Sequence, residues 1–207
     1  MTTIRQLIQT TSATANALFG KLVDTSVTAV KTRERLFGEL REELELLANL
    51  DEQHLFPVLQ KHKALKTLVR DSLAENTATR KLVTELENTP RDTEEFGVRV
   101  AHLQKIFQQH VRVGKNKRLP AILKTLTDEE ARGVVEKIET QIAEVEEAKR
   151  AEADERRAEA RHEREKLEAK KTILEAARRA ETLQRRAGAS GAAGSRPDAS
   201  CDGDCED

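Results

Sequence analysis

An all-α fold, an up-down-up-down four-helix bundle followed by a long charged helix and a disordered tail, follows from three features of the sequence. The composition is the first: 35% of the residues are charged, Trp and Tyr are missing and Phe occurs five times. Rich in Ala, Leu, Glu, Lys and Arg, the chain favours helix and opposes a β-sandwich or barrel. Apolar residues also recur at helical spacing in four successive stretches. The connections between those stretches are short, which places consecutive helices antiparallel.

The first helix is expected from Ile4 to Val23, with Ile4, Leu7, Thr11, Thr14, Leu18 and Lys21 along one stripe. A second runs from Val27 to Phe56 on Leu36, Leu40, Leu44, Leu47, Asp51 and Leu55, with Pro57 marking its last turn. The third, His62 to Glu87, turns Leu65, Leu68, Val69, Ser72, Asn76, Thr79, Val83 and Leu86 inward. A turn around Asn88-Thr89-Pro90 leads to Asp92 or Thr93 as cap of the fourth, which covers Thr93 to Arg118 and stops near Pro120. Residues 1–126 therefore form the predicted bundle.

Thr127-Asp128-Glu129-Glu130 has the pattern of a capping box and opens a fifth helix over 127–187. Its first turns carry Val134, Val135, Ile138, Ile142 and Val145, enough to pack on the bundle or on a partner. From Glu146 to Lys166 its apolar residues are almost all Ala among charges at i,i+4 spacing, each pair worth about 0.2–0.5 kcal/mol. Leu167, Ile173 and Leu174 restore a short seam. About sixty residues of helix would reach roughly 90 Å. A spacer is the plainer expectation, and a coiled-coil dimer seam the sharper one. Residues 188–207, rich in Gly, Ala, Ser and Asp, are expected to be disordered, with Cys201 and Cys205 in an acidic setting that cannot staple a core.

Charge narrows the function classes. Thirty-six basic residues stand against 37 acidic ones, for a formal charge of −1, which offers nucleic acid no basic excess. No run of about 18 apolar residues exists to cross a membrane. The first twenty residues lack the apolar segment of a secretory signal, so the expected location is cytoplasmic. Partners are expected to be an unidentified protein or a second copy met through the long helix.

Each helix interrupts its own apolar stripe with a polar group at one level. Asp51 falls between Leu47 and Leu55, Ser72 and Asn76 hold that place on the third helix, Thr11 and Thr14 on the first. On the fourth, His110 follows Leu103 and Phe107. Four helices meeting at one polar layer is how bundles build metal and cofactor sites. Thr11, Ser72, Asn76, Asp51 and His110 could equally close a hydrogen-bonded layer without metal, the Asp51 carboxylate accepting from imidazole and hydroxyls. As metal ligands, Asp51 and His110 lead, with Glu52 and His54 weaker; two ligands alone form a poor chelate. No nucleophile with its base and no phosphate-binding loop is present, so no enzyme activity is expected.

The segment from Leu40 to Pro57, with Leu47, Asp51, Glu52, Phe56 and Pro57, resembles the second helix of hemerythrin-like domains, also called HHE cation-binding domains, which read His-x-x-x-Glu-Glu-x-x-Leu-Tyr-Pro. Phe107-Gln-Gln-His110, Gly114 and Leu119-Pro120 are similar to the fourth helix, and Thr127-Asp-Glu-Glu to the short helix after it. The likeness covers about residues 1–145. It implies a four-helix bundle whose family holds two irons through histidines and carboxylates. Carried over by position, the first-helix histidine falls near Thr11 or Ser12, the second-helix histidine on Leu47 and its acid on Asp51. The third-helix histidine becomes Asn76, and the fourth helix keeps His110 but has Gly114 in place of its acid. Two expectations follow. In the favoured one, the degenerate site holds no cofactor and the bundle serves as a non-catalytic structural or interaction module. In the alternative, a reduced site binds iron for sensing, storage or oxygen chemistry.

Overall fold

The computed structural model describes residues 3–191, and among them no strand occurs. Among the described residues there are eight α-helices: α1 (Ile4–Thr10), α2 (Ala13–Val23), α3 (Val30–Leu50), α4 (Phe56–Leu59), α5 (Lys66–Glu87), α6 (Glu94–Val113), α7 (Leu119–Thr125) and α8 (Asp128–Gly191). Two π turns, Asp51–Leu55 and Gly114–Arg118, join α3 to α4 and α6 to α7, and a 3-10 turn, Lys63–Leu65, leads into α5. Taken as four long rods, α1–α2, α3–α4, α5 and α6–α7 form the bundle. Leu22 near the end of α2 shares an apolar cluster with Leu36 near the start of α3, and Leu86 shares it with Phe96. Such end-to-start packing is what antiparallel neighbours produce.

A compact unit spans Met1–Val145. Its apolar interior consists of two clusters. One gathers Phe19, Leu40, Leu86, Val100, Leu103 and their neighbours, with Phe19 and Phe107 rings 5.5 Å apart. The other joins Ile4, Leu7, Leu50, Leu55, Leu59, Val69 and Ile122 to Val134, Val135 and Ile138 from the first turns of α8. Those turns thus belong to the core of the bundle. The capping box expected at its start is present: Glu130 N–H donates to Thr127 Oγ1 at 3.2 Å, and Thr127 N–H to Glu130 Oε2 at 3.0 Å.

At the α2–α3 end one cation is fully enclosed. Arg33 is 4% exposed and donates to Thr25 Oγ1, to the Thr25 carbonyl, and to the carbonyls of Arg91 and Thr93, at 2.9–3.1 Å. Its guanidinium also lies 5.6 Å from the Phe96 ring centre. Carbonyl and hydroxyl acceptors, together with the ring face, offset its desolvation without a buried carboxylate.

Boundaries differ from the sequence expectation where backbone hydrogen bonding changes register. The first helix breaks at Thr11–Ser12, and the break moves the inward stripe by one residue. Ser12, Ala15, Leu18, Phe19 and Leu22 are buried, while Thr14 and Lys21 are exposed. The second helix starts at Val30 rather than Val27 and, like the fourth, continues past its proline instead of ending there.

The second unit, Glu146–Asp207, is described as far as Gly191 and is helical over that span. Ion pairs Glu146–Arg150 and Glu152–Arg156 ladder its surface, and Leu167, Ile173, Leu174 and Leu183 are exposed. Most of the expected disordered tail, with Cys201 and Cys205, lies outside the described residues.

Candidate functional site

The two π turns have one local cause. Pro57 and Pro120 carry no N–H, and a proline ring inside an α-helix collides with the carbonyl four residues back. In both rods the residue just before the proline donates five residues back instead of four: Phe56 N–H to the Asp51 carbonyl and Leu119 N–H to the Gly114 carbonyl. The widened turn absorbs the proline without ending the rod. Each π turn therefore opens on the position where an acid is expected from the likeness noted above: Asp51 in one, Gly114 in the other.

His110, one turn before Gly114, does not pair with Asp51. Its Nδ1 lies 2.7 Å from Glu75 Oε2 on α5. A carboxylate only accepts, so Nδ1 carries the proton and Nε2 keeps its lone pair. The Arg118 guanidinium, at the end of the same π turn, also bonds Glu75 Oε2 and sets Nη1 3.3 Å from His110 Nε2. Burial, and then the charge of Arg118, hold the imidazole below its ordinary value of 6.5 and keep it neutral. A hydrogen-bonded triad, Glu75–His110–Arg118, occupies this face.

Asp51 stands apart from the triad's hydrogen bonds and makes none of its own among the described residues. By exposed area it is only half-buried, but its carboxyl lies deep: burial pushes it up from 3.8 to about 7. The charge of Arg118 opposes that rise, and Glu52 adds to it. Arg118 thus serves two acids, Glu75 by contact and Asp51 by field.

Glu52 turns the other way. Arg80 Nη1 donates to Glu52 Oε1 at 2.8 Å and Asn76 Nδ2 donates to it at 2.9 Å. Arg80 continues outward to Glu45 at 3.0 Å. The Arg80 hydrogen bond holds the Glu52 carboxyl below its ordinary range. Asn76 and Ser72 are buried as expected, and Ser72 Oγ has no partner. Thr11 is half-buried and spends its hydroxyl on the Leu7 carbonyl at 3.0 Å. The residues expected to form the layer therefore do not close into one hydrogen-bonded network.

The remaining histidines serve elsewhere. His54 Nε2 meets Gln141 Oε1, and His62 Nε2 lies 3.1 Å from Glu130 Oε1, so both tie the α3–α5 connection to the start of α8. His102 and His162 are exposed. Glu75 and Arg118 are the site residues that sequence reasoning missed. A signal was present in Arg118: it follows His110 and Gly114 at steps of four and ends an inward stripe with a fixed charge.

Donor chemistry decides whether a pair of metal ions fits. Among the described residues no three His, Cys, Asp or Glu side chains converge to hold a metal ion. Leu47 and Gly114 bring no donor atom, Asn76 and Glu52 are bound to each other, and a permanent guanidinium charge stands between Glu75, His110 and Asp51. These residues do not fit a di-iron centre.

Two likenesses place the fold among known proteins. The family model for the hemerythrin HHE cation binding domain matches residues 2–122. The crystal structure of a hemerythrin HHE cation binding domain-containing protein from Mycobacterium kansasii superposes with a TM-score of 0.61 at 19% identity, over 70% of this chain and 87% of that one. No curated protein matches the sequence.

Proposed function

Since the chain belongs to the hemerythrin HHE cation-binding domain family, we propose that it is a non-catalytic member, a structural or interaction module built on the family bundle. Its α8 helix acts as a spacer or self-association arm toward an unidentified protein or a second copy, in the cytoplasm. The observation that carries this reading is the Glu75–His110–Arg118 triad. It spends the one retained family histidine on a carboxylate and a guanidinium. Among the described residues no helix is long and apolar enough to cross a membrane.

A second reading, a single metal such as iron at a reduced site, draws on Asp51, whose carboxyl makes no hydrogen bond to the protein. Protein purified under iron-replete conditions separates the two. The expected result is iron well below one equivalent, no oxo-bridge absorption, and a melting temperature that Fe²⁺, Zn²⁺ and Mn²⁺ leave in place, since a specific ligand must stabilise the fold. Stoichiometric iron with that absorption would overturn the structural reading.

A further inference from the structure

The geometry points to Arg118 as a tethered cation that occupies the electrostatic place of a metal at this layer, bonding Glu75 and setting its charge against His110. The inference rests on the reading above and adds to it what fills the layer.

Four observations converge. The guanidinium bonds a carboxylate from another rod and approaches an imidazole on its own, two of the ligand types that an iron pair would recruit. Its side chain is only 13% exposed although Glu75 is 42% exposed, so the cation, not the acid, is the enclosed partner. The carboxyl of Asp51, the acid at the family's position, makes no hydrogen bond among the described residues, and the charge of Arg118 opposes its upward shift. A Cβ built at Gly114 would meet nothing within 4 Å, so no neighbouring side chain crowds the turn that carries Arg118.

The physical logic is charge balance in a poorly solvated place. Acids on two rods at one level repel unless a cation sits with them. A metal answers that need when enough donors converge, and its binding is lost when they do not. Arginine answers it without a free ligand. It is charged at every pH the protein meets, and its planar fork presents several N–H donors at fixed angles. Helical side chains lean toward the N-terminus of their helix, which carries Arg118 back along the rod toward His110. The bundle therefore keeps the cation that its fold requires, as part of its own chain.

Chemical rescue tests the assignment. Arg118→Ala should melt lower than the wild-type protein by roughly 5 °C. Millimolar ethylguanidinium should return at least half of that loss, whereas ethylammonium at the same concentration should return little, because it lacks the planar fork. Wild-type protein, with the place filled, should not respond to either. Arg118→Gln keeps the reach of the side chain without its charge and carries the same test if Arg118→Ala does not fold. The inference is overturned if neither variant recovers with ethylguanidinium, or if wild type gains as much as the variants. Such a failure, with wild type still indifferent to divalent ions, would leave the structural reading intact. A wild-type melting temperature raised by Fe²⁺ or Mn²⁺ would sink both.

Discussion

The π turn of α3–α4 opens on Asp51 with Leu47 one turn earlier, and that of α6–α7 opens on Gly114 with His110 one turn earlier. In hydrogen-bond register the two are alike: each donates five residues back from the residue preceding a proline. In chemistry they are complements. One has an acid, Asp51, preceded four residues earlier by Leu47; the other has a histidine, His110, followed four residues later by Gly114. The difference shows that this backbone is fixed by Pro57 and Pro120 and persists whatever the pattern positions carry. It also shows how each half is balanced. His110 obtained partners, Glu75 from a neighbouring rod and Arg118 from its own, whereas Asp51 obtained only a field.

The largest expected effect lies in that imbalance. Burial raises the Asp51 carboxyl from 3.8 to about 7, so the folded protein holds a proton there that the unfolded chain has released. Stability from this group is complete below about pH 4 and is lost as the pH rises toward 7, by roughly 4 kcal/mol over three pH units. His110 runs in the opposite sense. Its value is lowered from 6.5, so its contribution is present above 6.5 and falls as the pH drops below it. The two slopes oppose one another in wild type. Asp51→Asn should unmask the histidine and gain stability as the pH rises to 6.5, and His110→Gln should unmask the acid and lose stability from pH 4 to 7. Urea denaturation across this range would check both; identical pH profiles for wild type and Asp51→Asn would show that Asp51 is not a buried acid.

A smaller effect would sharpen the contrast in partners. A double-mutant cycle on His110 and Glu75, each changed to Leu, should show a coupling of about 1 kcal/mol, the net worth of one hydrogen bond. The corresponding cycle on His110 and Asp51 should show less, because no hydrogen bond joins them. Equal couplings would return Asp51 to the triad.

The smallest concerns Gly114 itself. Its dihedrals, φ −53° and ψ −54°, are helical, and its surroundings have room for a methyl group. Gly114→Ala should therefore stabilise the protein by about 0.5–1 kcal/mol, read as a raised melting temperature. A loss instead would mean that the π turn needs glycine where its counterpart manages with Asp51.

Much of the fold was legible in the sequence, and much less of the site. Leu36, Leu40, Leu44, Val69, Val83 and Leu103 are buried where a period of 3.6 puts them, because burial of a stripe depends only on the direction of each Cβ. Thr14 and Lys21 failed because the break at Thr11–Ser12 resets that phase, and the sequence marks the break only with three consecutive hydroxyl residues. Pro57 and Pro120 read as helix ends because an interior proline normally costs an α-helix about 3 kcal/mol; the π turn is the less common remedy. The pairing of Asp51 with His110 was not found: His110 bonds Glu75 instead. Periodicity says which residues share a level. It does not say which long side chain reaches across from a neighbouring rod, and Glu75 and Arg118 act through their length.

One consequence of the two apolar clusters concerns how the bundle breathes. Between them three of the four rods pass through a zone with little oil to hold it shut: Ser12, Ser72 with its unpartnered hydroxyl, and the turn at Gly114. Amide deuterium uptake should report this as a waist. The backbone around Leu40 and Leu103 would surrender its hydrogens only in global unfolding, whereas residues 114–118 would exchange through local openings that leave both clusters intact. Such a molecule can loosen at its middle while each end stays dry.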